Sequence, residues 1–182
     1  MDKALVVIDM QNDFITGALA NQEGQKIVGK IADYIRNFDG DIIATRDTHD
    51  GNYLNTQEGQ NLPIPHCIHK TKGWEIVPEV QKALDEKQGV TYIDKPTFGS
   101  IALGDRIARK LYKSIELIGV CTDICVISNA LLIKACAIET PVTVIEDLCA
   151  GVTTESHKTA IQAMKNCQIQ IKEEEKEIDY DR

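Results

Sequence analysis

The stretch SIELIGVCTDICVISNALLIKAC, residues 114–136, holds the fold in miniature. SIELIGV (114–120) is a short β-rich apolar run that closes on a glycine and a valine. Two cysteines follow, four residues apart, with Asp123 between them, and then an apolar stretch of helical length over 123–137. A strand that passes through a tight turn into a helix is the repeating unit of an α/β sheet. Asp123 is well placed to cap that helix. Cys125 would then lie in the first helical turn, where unpaired backbone N–H groups and the helix dipole lower a thiol pKa. The N–H groups of Cys121 and Cys125 could both point at one oxyanion.

The same unit recurs on either side. Strand-like runs stand at ALVVID (4–9), DIIATR (41–46), GVTYID (89–94), PVTVIED (141–147) and QIQIK (168–172). Several are apolar on both faces, as in parallel strands covered by helices from both sides. Helical periodicity fills the intervals at 23–38, 78–87, 101–112 and 153–166. Pro78 stands at a favoured first helical position, and Thr153 opens the last helix as a cap. Alternation with right-handed crossovers predicts an α/β fold with a doubly wound parallel six-stranded sheet. A single domain over 1–182 is expected, with 172–182 as an acidic solvated tail. The one long irregular segment is 47–77, and a loop of that length in a compact domain is usually functional.

Composition narrows the function. Formal charge is -8, which argues against nucleic acid and anionic lipid as partners. No apolar run approaches the ~20 residues of a membrane span, and the N-terminus does not read as a signal peptide. A cytoplasmic location follows as an expectation. The six cysteines, at 67, 121, 125, 136, 149 and 167, read as reduced thiols rather than a disulfide framework.

Ligands of an open α/β sheet bind beyond the carboxyl ends of its strands. The first predicted strand ends in Asp9, the second is followed by Asp47 and His49, the third ends in Asp94-Lys95, and the fourth leads to Cys121 and Cys125. On its own motif Cys125 reads equally as a core thiol or a nucleophile. An acid and a lysine on the same rim tilt that balance toward a nucleophile with an acid/base and a cation. The Cys-x-x-x-Cys spacing is not that of thioredoxin-like pairs, and no second Cys/His pair suggests a zinc site there. Asp47 and His49, at i and i+2 of an extended segment, project to one side. With His66 in PIPHC and Glu58 they make a candidate divalent site, unless Asp47 merely caps a turn and the histidines are polar loop residues. The first βα turn, DMQNDFITG, has no G-x-G-x-x-G, so an organic dinucleotide cofactor is not expected.

VVIDMQNDF, a lysine closing the third strand and GVCTDICV together resemble the isochorismatase-like cysteine hydrolases, and most of all the nicotinamidases among them. The likeness runs from the first strand to the sixth. It implies the Rossmann-like fold of that family, with Asp9 as general acid/base, Lys95 as electrostatic partner and Cys125 as nucleophile. It implies a cis peptide at Val120–Cys121 that aims the Cys121 N–H into an oxyanion hole. It also implies a divalent metal (zinc, iron or manganese) on Asp47, His49 and His66, with Glu58 in a position the family fills with histidine or glutamate. The implied activity is hydrolysis of a small carboxamide, foremost nicotinamide to nicotinate and ammonia, through a thioester. The alternatives are an N-carbamoyl or ureido compound, isochorismate, or a non-catalytic α/β binding module. Phe14 matches a pocket phenylalanine of the family. A second aromatic of the family is replaced here by Pro63, and Phe98, Trp74 or Tyr53 are the rings that could stand in. His69 and His157 read as surface residues. The fold also suggests a homo-oligomer, since it often buries a helix face between subunits.

Overall fold

The structure is a computed structural model that describes residues 3–172, so all but the first residue of the expected acidic tail lies outside it. Six strands form one all-parallel sheet in the order β3-β2-β1-β4-β5-β6. They are β1 (Lys3–Ile8), β2 (Asp41–Asp47), β3 (Thr91–Lys95), β4 (Ser114–Val120), β5 (Val142–Ala150) and β6 (Gln170–Lys172). The chain winds outward from β1 to β3, returns to β4 beside β1, and winds outward again to β6. This is the doubly wound arrangement, with its switch point between β1 and β4.

The helices are α1 (Asn12–Ile15), α2 (Gln22–Asn37), α3 (Gln57–Asn61), α4 (Pro78–Asp85), α5 (Ile101–Lys110), α6 (Ile127–Cys136) and α7 (Thr154–Asn166). Because strand side chains alternate, β1 feeds two cores. Leu5 and Val7 pack with α2 and α4. Ala4, Val6 and Ile8 pack with α5, α6 and α7. Pro78 is the first residue of α4. Thr153 and Ser156 close a reciprocal capping box at the start of α7.

Four features depart from the sequence expectations. β1 stops at Ile8, and Asp9 follows it with φ 47°, a left-handed conformation that turns the carboxylate off the strand. The 47–77 segment is not wholly irregular: it contains a 3₁₀ turn, Tyr53–Asn55, and α3, which carries Glu58. β5 runs on to Ala150. Its register against β4 holds to Leu117↔Val144 and then shifts, so that Gly119 faces Cys149. Residues 145–148 of β5 therefore stand opposite Ile118 alone, a bulge against β4 that includes Glu146, while Ile145 still pairs with Lys172 of β6. Finally, the turn after β4 is a π turn, Thr122–Val126, and α6 proper begins only at Ile127. No helix among the described residues is long and apolar enough to cross a membrane.

Candidate active site

The carboxyl ends of β1, β2, β3 and β4 bring Asp9, Asp47, Lys95 and Cys125 together. Lys95 comes from β3, two strands away from β1, so its side chain must reach across the end of β2. It does so fully buried, with Nζ 2.7 Å from Asp9 Oδ2 and 3.4 Å from Asp47 Oδ1. The same ammonium donates to the Thr97 carbonyl at 3.1 Å and lies 3.6 Å from Cys125 Sγ. Thr45, one strand over, donates from Oγ1 to Asp9 Oδ1 at 2.7 Å and fixes the other carboxylate oxygen.

Burial raises the Asp9 carboxyl above its ordinary range, against the pull of Lys95. Burial alone would depress Lys95, but Asp9, Cys125 and Asp47 hold it protonated and raise it. The expected lowering of the Cys125 thiol is corrected. Burial first, and Asp9 second, push it well above the ordinary thiol value, with Lys95 opposing them. The resting pattern is thus a neutral thiol beside the Asp9–Lys95 pair, with Lys95 protonated.

The turn that carries Cys125 is also built differently from the expectation. Cys121 occupies the cap position and no side chain caps the turn. Asp123 instead accepts a hydrogen bond from the Val152 N–H at 3.0 Å, because the wide π turn swings it toward the segment after β5. The Val120–Cys121 peptide is cis. Asn129, fully buried in α6, donates to the Cys125 carbonyl at 2.8 Å and to the Phe98 carbonyl at 2.9 Å. An asparagine four residues after a candidate nucleophile was the available signal for this clamp.

A second cluster adjoins the first through Asp47. Its Oδ1 faces Lys95, while its Oδ2 lies 3.0 Å from His49 Nε2 and 3.4 Å from His66 Nε2. Glu58 Oε1 stands 3.5 Å from His49 Nε2 and 3.7 Å from His66 Nε2. One ligand atom from each of Asp47, His49, Glu58 and His66 lies within 4.8 Å of all the others. His66 Nδ1 donates to the Ile64 carbonyl at 2.9 Å, which leaves Nε2 facing the cluster. Two imidazoles and two carboxylates are a borderline donor set that suits zinc, iron or manganese, so the residues present fit a divalent ion. The histidine bonds and Lys95 outweigh burial and hold Asp47 below the usual carboxylate range. Tyr53 supports both rings, with centroids 4.8 Å from His49 and 5.0 Å from His66. Its hydroxyl donates to the Leu62 carbonyl.

Two residues of the quoted MQNDF stretch join the parts of the site. Buried Gln11 accepts from the Asp47 N–H at 2.7 Å and donates to the carbonyls of Asp47 and Trp74, both at 2.8 Å. Asp13 accepts from the Cys67 N–H at 2.8 Å and so holds the residue after His66.

A cleft of about 820 Å³ opens beside Cys121, lined among others by Phe14, Asn21, Leu62, Ile124 and Thr153. Phe14 also meets the His66 ring at 5.6 Å. The other ring candidates lie elsewhere. Phe98 is 43% exposed and does not line this cleft. Trp74 packs under the Arg46 guanidinium, 4.0 Å from its centroid, and lines a separate groove. Pro63 is exposed, and its neighbour Leu62 supplies the apolar wall. His69 is exposed as expected. His157 is not a surface residue: its ring is largely covered and bonds Thr122.

A six-stranded all-parallel sheet flanked by helices matches the architecture of isochorismatase-like hydrolase structures. The family model described as "Isochorismatase domain" matches residues 3–175, and the chain belongs to that family. The nicotinamidase/pyrazinamidase of Mycobacterium tuberculosis is 24% identical over 186 residues, covering 93% of this chain and 97% of that protein. A match to the nicotinamidase of Saccharomyces cerevisiae, 28% identical, is shorter and covers 51% of this chain and 56% of the yeast protein. The pyrazinamidase of Pyrococcus horikoshii, solved in complex with zinc, superimposes with a TM-score of 0.82 at 30% identity, over 96% of this chain and 100% of that one.

Proposed function

We propose that this protein is a cysteine amidohydrolase that converts a small aromatic carboxamide, foremost nicotinamide, to its carboxylate and ammonia. The observation that carries the reading is the buried contact set in which Lys95 Nζ stands 2.7 Å from Asp9 and 3.6 Å from Cys125. The relatives named nicotinamidase and pyrazinamidase support the choice of amide.

The neutral Cys125 thiol gives its proton to Asp9 as sulfur bonds to the amide carbon. The carbonyl electron pair moves to oxygen, where the N–H groups of Cys121 and Cys125 receive the oxyanion, each donor of this type being worth ~3 kcal/mol. The oxyanion collapses, the C–N bond breaks, and Asp9 returns the proton to the leaving nitrogen as ammonia. Asp9 next takes a proton from water, whose oxygen bonds to the thioester carbon as the C–S bond breaks. The freed thiolate recovers that proton. Lys95 keeps its charge throughout and steadies whichever of Asp9 and Cys125 is anionic. Asp47, His49, Glu58 and His66 would hold a divalent ion. When bound, such an ion supplies a Lewis-acidic anchor for a ring nitrogen of the substrate. Phe14 packs against the substrate ring.

Ammonia release from nicotinamide by wild type and Cys125→Ala, each with and without chelation, tests this reading. Loss of turnover of about a thousandfold or more in the variant is expected, with loss on chelation and recovery on adding the metal back. Turnover that survives in Cys125→Ala refutes it. A second reading, hydrolysis of an N-carbamoyl or ureido compound, is favoured by Leu62 and Pro63 standing where an aromatic wall is expected. Ammonia from a ureido substrate, with none from nicotinamide in the metal-replete enzyme, would select it.

A further inference from the structure

The turn over 121–126 is tied from behind to the segment that follows β5. Thr122, fully buried between the two cysteines, shares a 2.8 Å hydrogen bond between its Oγ1 and His157 Nδ1. On the far side of that ring, Nε2 lies 3.8 Å from Glu146 Oε1, in the bulge of β5. One residue on, Asp123 Oδ1 accepts from the Val152 N–H at 3.0 Å. Gly151 is wedged between the two ties. A Cβ there would stand 2.8 Å from His157 Cβ and 3.0 Å from Asp123 Oδ1. Asn21 in turn donates to the Gly151 carbonyl at 2.8 Å, which locks this segment to the start of α2.

The proposed reaction gives His157 no part, yet the contacts give it a definite one. The geometry points to His157 as a positioning residue: through Thr122 it sets the peptide units that present the Cys121 and Cys125 N–H groups to the oxyanion. The inference rests on the amidase reading above. Those donors matter most when charge develops on the carbonyl oxygen. A displaced turn therefore weakens the transition state more than the bound substrate, and a small misplacement is enough to cost a large factor in rate.

The test uses the metal-replete enzyme and four variants: His157→Leu, His157→Asn, Thr122→Val and the double His157→Leu/Thr122→Val. Asparagine keeps an amide where Nδ1 stands. In His157→Leu, kcat is expected to fall about 10- to 100-fold with KM changed less than about threefold. His157→Asn should recover most of that loss. The double variant should be no slower than the worse single one, since both cut the same link. Amide exchange over 121–126 should quicken at least about tenfold in His157→Leu while that of α6 stays as in wild type. An unchanged kcat, a KM that rises in step with the fall in kcat, an asparagine variant no better than leucine, or losses that multiply would each overturn the assignment. Should His157→Leu fail to fold, Thr122→Val and His157→Asn carry the same comparison. Wild type without amidase activity would refute the reaction instead, and the exchange measurement would still decide the role of His157.

Discussion

Cys125 lies between two opposing charges, and their balance explains why its thiol is neutral at rest. After burial, the Asp9 carboxylate is the main influence raising the thiol, and Lys95 is the one lowering it. Removing the carboxylate charge leaves the ammonium unopposed, so the thiolate becomes easier to form. Asp9→Asn is therefore expected to alkylate faster with iodoacetamide at pH 7, by about tenfold for each unit by which the thiol falls. Its amidase turnover should drop by about 100-fold or more, because the acid/base is gone. Mass mapping of the labelled cysteine, beside an ammonia assay, separates the two effects. A variant that loses both reactivities would show that Asp9 activates the thiol in the resting enzyme, against the charge pattern described here. At this scale the sequence revealed residue types and chain order, which is why Asp9, Lys95, Asp47, His49 and His66 could be named. It did not reveal Thr45 on Asp9 or Gln11 on Asp47, each joined across 36 residues of chain. Such contacts are set by strand register, and no local pattern encodes them.

At the scale of elements, the close approach of β4 to β1 is what brings Cys121 and Asp9 onto one rim. Gly119 makes that approach possible. Its φ is 121°, a conformation that side chains avoid, and a Cβ there would overlap the carbonyl oxygen and amide nitrogen of Ile8. Gly119→Ala is expected to cost about 3 kcal/mol or more of stability. Urea unfolding measures this, and a loss below about 1 kcal/mol would mean that the two strands part easily. Strand and helix positions were legible because buried parallel strands are short, continuous apolar runs and their helices are amphipathic. The π turn at Thr122–Val126 was not, since one widened turn barely alters helical spacing. Nor was the β5 bulge: Glu146 and Asp147 read as the end of the strand, and only pairing with β4 shows that β5 shifts register there and runs on to Ala150. α3 was hidden for a different reason. At five residues, Gln57–Asn61, it is too short to display a period, and its Thr56 cap reads as one more loop threonine.

Across the whole molecule the two rims of the sheet divide the work. The carboxyl-end rim concentrates buried charge, with Asp9, Asp47 and Lys95 all covered there. The opposite rim holds the strands together, and one contact there carries a pH signature. Tyr112, only 4% exposed just before β4, donates its hydroxyl to Asp41 Oδ2 at 2.8 Å where β2 begins, passing beneath β1. Burial, then the bond to Asp41, pushes the phenol up to about 12 from the ordinary 10.0. A group whose folded pKa is raised contributes in full below its unfolded value and loses that contribution as pH climbs through the folded one. Tyr112 is therefore expected to contribute about 1 to 3 kcal/mol below pH 10, decaying between about pH 10 and about 12. Tyr112→Phe should be less stable than wild type at pH 8 by that amount and should lack this part of the alkaline decline. The two stability curves then converge near pH 12. Turnover at pH 8 should match wild type, because nothing on this rim touches the reacting groups. Denaturant midpoints of both proteins at several pH values give the comparison. Curves that stay parallel would show that the phenol titrates alike in both states, and the hydroxyl–Asp41 bond would then add nothing that proton binding can sense.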